Sequence, residues 1–112
     1  MASVESLIEL DGVDGAFKFS AKGELIDFKV SQDSELTESV LDLLSHLCVA
    51  NMAIATMQAR GWETMTGMKG FYPINGFTLV GFAWTAVTSE EYGVVMPNGN
   101  VDYEAAYAAL AS

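Results

Sequence analysis

Residues 44–61 read LSHLCVANMAIATMQARG. Counted around a helix at about 100° per residue, their apolar side chains do not fall on one face. With Leu41 at the origin, Leu41, Leu44, Cys48, Met52, Ala55 and Ala59 make one stripe, and Leu43, Leu47, Ala50, Ile54 and Met57 make a second. Asp42, Ser45, Thr56 and Arg60 occupy a broad polar wedge between the stripes, Asn51 and Gln58 a narrow one. A helix laid on a sheet with its back to water needs only one apolar stripe. The second stripe predicts a second burial partner, and another copy of the chain is the simplest, because a large uncovered apolar patch drives association. Ala50, Ala53, Ala55 and Ala59 let helix axes approach closely, and the methionines adapt to an irregular partner surface.

Upstream of this stretch, SQDSELTESV at 31–40 offers Asp33 or Ser34 as an N-cap, with Glu35 and Glu38 placed where carboxylates favour the positive helix end. No glycine or proline follows until Gly61, so one helix of about 26 residues is expected. Before it, AFKFSAKGELIDFKV at 16–30 changes period. Phe17 and Phe19 alternate with Lys18 and Ser20, and Ile26, Phe28 and Val30 with Asp27 and Lys29. That pattern predicts a β-hairpin turning around Gly23. Ser3 caps a short helix over VESLIEL, which Gly12 stops.

Downstream, residues 77–80, 82–88 and 92–96 are rich in aromatic and β-branched side chains and predict three antiparallel strands. Pro73 cannot donate to a ladder, so residues 71–74 are expected to form an edge strand or lead into one, with Asn75-Gly76 as a turn or bulge. Asn98-Gly99 ends the last strand. Asn100 or Asp102 then caps a final helix with Tyr103, Ala106, Tyr107 and Leu110 on one face. The order αββαβββα, without repeat or linker, predicts a single α+β domain over residues 1–112.

Hydrophobic residues make up 51% of the 112 and charged ones 18%, a balance that folds. Fifteen acidic against five basic residues give a formal charge of −10. Phosphate backbones would be repelled, so nucleic acid is excluded as the main ligand, while a basic protein surface would be attracted. No apolar run reaches the 18 or so positions that a membrane span needs, and the acidic start lacks the pattern of a secretory signal. A soluble, cytoplasmic protein is expected, and the lone Cys48 agrees with a reducing compartment.

His46 and Cys48 draw attention as the only histidine and cysteine. Two positions apart on a helix, they do not face each other and cannot chelate one ion. Cys48 and Met52 share a face and offer two soft ligands, yet no third is evident, and both are ordinary core fillers. No metal, cofactor or catalytic residue is therefore assigned. Asp11 and Asp14 in DGVDG lack the alternating ligands and closing glutamate of a calcium loop and read as a turn. No phosphate-binding or dinucleotide glycine motif is present. The aromatics Trp62, Phe71, Tyr72, Phe77, Phe82 and Trp84 can line a small-molecule pocket, Trp62, Phe77 and Trp84 above all, but core and interface burial is the favoured reading.

The run Leu7-Ile8-Glu9-Leu10-Asp11-Gly12-Val13-Asp14-Gly15-Ala16, Gly23 in the first turn, and GWETMTGM, PINGF and VGFAW after the long helix resemble the roadblock/LC7 fold. More closely they resemble a small prokaryotic roadblock-like family catalogued as a domain of unknown function. The resemblance spans nearly the whole chain. It implies a profilin-like, antiparallel five-stranded sheet with the long helix on one face and short terminal helices on the other. It also implies a homodimer formed by paired long helices and joined edge strands, here Leu43, Leu47, Ala50, Ile54 and Met57 with Phe71, Tyr72 and Pro73. Roadblock-like proteins typically act as dimeric platforms for small Ras-like GTPases, motor subunits or signalling complexes, without catalysis of their own. A non-enzymatic homodimeric scaffold or regulatory protein is thus the expected function, and a small-molecule sensor the alternative.

Overall fold

The computed structural model describes residues 2–112. Its elements are α1 (Val4–Ile8), β1 (Gly15–Phe19), β2 (Leu25–Val30), α2 (Glu38–Thr66), β3 (Phe77–Val80), β4 (Trp84–Thr88), β5 (Tyr92–Pro97), a single 3-10 turn (Asn98–Asn100) and α3 (Tyr103–Ala111). The strands form one antiparallel sheet in the order β2-β1-β5-β4-β3, which leaves β2 and β3 as its edges.

Alternation along the strands sends side chains to opposite faces and creates two apolar layers. On one face Ala16, Val87, Val94 and Met96 pack against Val4 and Leu7 of α1 and Ala106 and Leu110 of α3. On the other, Phe17, Phe19, Ala86 and Val95 pack against Leu41 and Cys48 of α2. The long helix and the two terminal helices therefore cover opposite faces, as expected. Phe17 lies opposite Gly93 in the β1–β5 register, and a Cβ at Gly93 would overlap its ring.

Local chemistry explains where the elements begin and end. Ser3 caps α1 reciprocally with Ser6: each hydroxyl accepts from the other residue's N–H. The N-cap of α2 is Thr37 rather than Asp33 or Ser34. Those upstream residues sit in a loop where the Ser31 hydroxyl donates to Asp14 at 2.6 Å and the Ser34 hydroxyl donates to the other Asp14 oxygen. Asp14 is thus a pin between two loops, in keeping with a turn rather than a calcium site.

Helix α2 also runs through Gly61 for 29 residues and stops at Gly67, whose φ of 71° is left-handed. An interior glycine costs about 1 kcal/mol, too little to break a helix held by packing over several turns. In β2 the expected alternation fails, because the register shifts between Lys18 and Phe19 and pairs Phe19 with Leu25. Leu25 is half-buried as a result, and Ile26 stands 58% exposed.

Residues 71–74 form no strand of their own and, as the second of the two expected alternatives, lead into the edge strand β3. The chain enters the sheet only at Phe77, just after Gly76, where a Cβ would overlap the Thr88 carbonyl. Strand β4 begins at Trp84 instead of residue 82, because the Asn98 amide holds the Gly81 and Phe82 carbonyls at 3.0 and 3.1 Å in a tight turn.

Candidate functional site

The two stripes of α2 have separate fates. Leu41 and Cys48 of the first are buried on the sheet with Leu44 half-buried beside them, and further along the helix Ala59 is buried and Met52 and Ala55 half-buried. Ser45 is buried too, against its expected place in the polar wedge. Its hydroxyl donates to the Leu41 carbonyl at 2.8 Å, so the helix itself satisfies the group. Every member of the second stripe is exposed: Leu43 to 62%, Leu47 to 43%, Ile54 to 56%, Met57 to 75%, and Ala50. None of the five is charged, so the strongly acidic chain keeps one neutral surface. By length and composition alone α2 is able to cross a membrane, but the sheet occupies one flank of it.

Helix α2 also borders the edge strand β3. Leu79 of that strand is exposed, and Val40 and Leu44 of α2 line a groove of about 380 Å³ with Leu79 and Trp84, with Glu35 among its walls. The other edge, β2, is less available for pairing. Its Leu25 N–H donates to Asp42 at 3.1 Å and its Phe28 N–H to Asp27 at 2.9 Å. Strand β3 carries no charge at all, a composition that leaves an edge open to another strand. The signal was present in the sequence as FTLV, four residues with no charge, but which strand lies at an edge is set by the sheet order.

Phe71, Tyr72 and Pro73, expected at an edge strand, instead fold back on the C-terminal turns of α2. Phe71 meets Trp62 edge-on with ring centroids 5.6 Å apart. Arg60 donates to the Tyr72 hydroxyl at 2.9 Å and lies 4.5 Å from that ring's centroid. One Glu63 oxygen accepts from the Gly70, Phe71 and Tyr72 N–H groups at 3.0, 3.1 and 3.2 Å. These donors, the Tyr72 N–H foremost, hold the Glu63 carboxyl below its ordinary value, with nearby Lys69 adding to the effect. A depressed folded value means that the clasp is complete above the ordinary carboxylate range and opens as pH falls through the lower folded value. Acid titration, or Glu63→Gln at neutral pH, is expected to speed amide exchange at Gly70, Phe71 and Tyr72 and to shift Trp62 fluorescence. Unchanged exchange at those three amides would contradict the clasp.

The aromatics proposed from sequence as a pocket are not gathered into one. Trp84 lines the α2–β3 groove, Trp62 meets Phe71 edge-on, and Phe77 packs against the core beneath α2. His46 and Cys48 likewise point apart. His46 is exposed, with Nδ1 2.8 Å from the Asp42 carbonyl. Cys48 is buried, and burial pushes its thiol up from 9.0 to about 11 against the opposing hydrogen bond with Thr88. It is protonated at neutral pH and so a poor nucleophile. Because the folded value lies above the unfolded one, the native state holds this proton more tightly. The associated stability is present below pH 9 and declines as pH rises toward 11. Native protein at pH 8 is expected to react with a soluble disulfide reagent only at its opening rate, and Cys48→Ala to flatten the alkaline loss of stability. Rapid stoichiometric labelling of folded protein would refute the assignment.

The comparisons with known proteins agree with this architecture. A family model described as "uncharacterized conserved protein (DUF2173)" matches residues 3–112. No curated protein sequence matches the chain. Among solved structures, the chain is similar to the gliding protein MglB from Thermus thermophilus, at 18% identity and TM-score 0.71, over 96% of this chain and 82% of that one. It is similar to an MglB structure with a tetrameric arrangement at 17% identity and TM-score 0.71, over 96% and 82%. A roadblock/LC7 domain from Streptomyces avermitilis follows at 11% identity and TM-score 0.66, over 96% and 85%. At such identities the likeness is one of fold. The chain belongs to the DUF2173 family, and its long helix and five-stranded sheet are those of the roadblock/LC7 fold.

Proposed function

We propose that the protein is a non-enzymatic, homodimeric scaffold or regulatory subunit that presents its surface to a protein partner. The observation that carries this reading is the exposed neutral stripe Leu43, Leu47, Ala50, Ile54 and Met57, on the same helix that borders the edge strand β3. An apolar surface of this kind on an otherwise acidic chain is an association surface. Pairing of two α2 helices covers the stripe, and pairing of two β3 edges extends the sheet. The tetrameric arrangement described for an MglB structure supports self-association on this fold. A small Ras-like GTPase is the partner class that the roadblock resemblance implies. Cys48 is protonated and buried, and His46 is turned away from it, so the pair supplies no activated nucleophile, in keeping with a binding role.

Sedimentation equilibrium at micromolar concentration tests the assembly directly. A mass near twice that of the chain is expected, and a monomer at that concentration would refute the dimer.

A further inference from the structure

The flank of α2 away from β3 borders a second, open groove of about 840 Å³. Ile26 of β2, Val49, Met52 and Met57 of α2 and Ile74 of the following loop give it an apolar lining, and Glu90 and Glu91 of the β4–β5 turn stand with Lys18 among its walls. Lys18 Nζ lies 5.5 Å from the centroid of the Tyr92 ring, so this cation already has an aromatic partner. Lys18 keeps its charge, so the two carboxylates outnumber it and leave the ionisable lining acidic by one.

Two local features build the groove. The register shift between Lys18 and Phe19 turns Ile26 outward, and such irregularities re-aim side chains beside binding sites. The Glu63 clasp carries the loop that ends at Ile74 back along α2. Neither feature is needed by the core, which Leu25 fills in place of Ile26.

We propose that this groove docks a basic amphipathic segment of a protein partner. Apolar side chains of the segment bury against Ile26, Met52 and Ile74, and its lysines or arginines meet Glu90 and Glu91. An open trough suits a length of chain, and methionines in the wall adapt to differing side chains. The formal charge of −10 draws in a basic segment. The inference rests on the proposed function only in taking the ligand to be a protein. Met57 alone is shared between the groove and the outward stripe, so the two surfaces can be tested separately.

The probe is a fluorescein-labelled amphipathic leucine/lysine peptide, with its leucine/glutamate counterpart as comparison, followed by fluorescence anisotropy. Saturable binding of the basic peptide and none of the acidic one is expected. Glu90→Lys with Glu91→Lys is expected to weaken binding at least about tenfold, and Ile26→Gln to do so at unchanged melting temperature. Glu5→Lys with Glu9→Lys makes the same charge change on the α1 side of the chain and is expected to leave affinity within about twofold. Equal weakening by this control, or none from the groove variants, would overturn the proposal. So would a changed sedimentation mass for the Glu90→Lys/Glu91→Lys protein, which would assign the groove to a second copy. Binding that persists in a monomeric Leu47→Glu/Ile54→Glu background would uphold the groove, whatever becomes of the dimer.

Discussion

Leu47→Glu combined with Ile54→Glu is expected to convert the proposed dimer to a folded monomer. Both side chains are exposed on the single chain, so the substitutions meet water there and leave the core untouched. In a dimer each would place a carboxylate in an apolar interface, doubled by symmetry, which costs several kcal/mol unless a partner charge is present. No lysine or arginine lies in the stripe to supply one. A rise of at least about 100-fold in the dimer dissociation constant follows, the scale of a central interface position. Sedimentation gives the mass, and far-ultraviolet circular dichroism shows that the fold persists. Leu79→Lys on β3 is expected to act in the same direction through the sheet edge, since a lysine there discourages strand pairing. A dimer that survives all three changes would place the interface elsewhere.

The second large effect lies at the crossing of β1 and β5. Phe17 is fully buried under α2 and lies over Gly93. Phe17→Ala removes a whole ring from a packed layer and is expected to destabilise by about 3–5 kcal/mol, a large share of what a domain of this size has. Gly93→Ala fails for the opposite reason: its methyl has no room beneath the ring, and overpacking costs about 1–3 kcal/mol. The two changes are not independent. Phe17→Leu together with Gly93→Ala is expected to be more stable than the sum of the single losses, because the smaller side chain vacates the space that the methyl needs. Urea denaturation of the four proteins measures the coupling, and strict additivity would show that Gly93 is required for some other reason.

Much of this fold was legible from periodicity. Phe77–Val80 was delimited to the residue, and Asp102 stood among the expected caps of α3. The errors have local causes. Asp33 and Ser34 resemble helix caps, but Asp14 takes the Ser34 hydroxyl across the fold and Thr37 becomes the cap. Gly61 resembles a stop, yet the helix continues to Gly67, where a left-handed residue is required. Ile26 alternates with its neighbours as a core residue should, and a register shift turns it outward. Residues 71–74 lead into the edge strand β3, one of the two expected alternatives, but form no strand themselves because Glu63 takes three N–H groups at 70–72.

What the sequence determined by itself was the number and order of the elements and the existence of two apolar stripes on one helix. Both follow from the fixed angular step of a helix and the two-residue step of a strand, which local residue order alone dictates. Only the tertiary structure decided which stripe the sheet covers, which strand is left at the edge, and that Trp62, Phe77 and Trp84 part company. Those outcomes depend on strand order and on hydrogen bonds between residues far apart in the chain, such as Asp14 with Ser31 and Asp42 with Leu25. A periodic pattern says that a face must be buried. Which surface meets it depends on how the other elements pack.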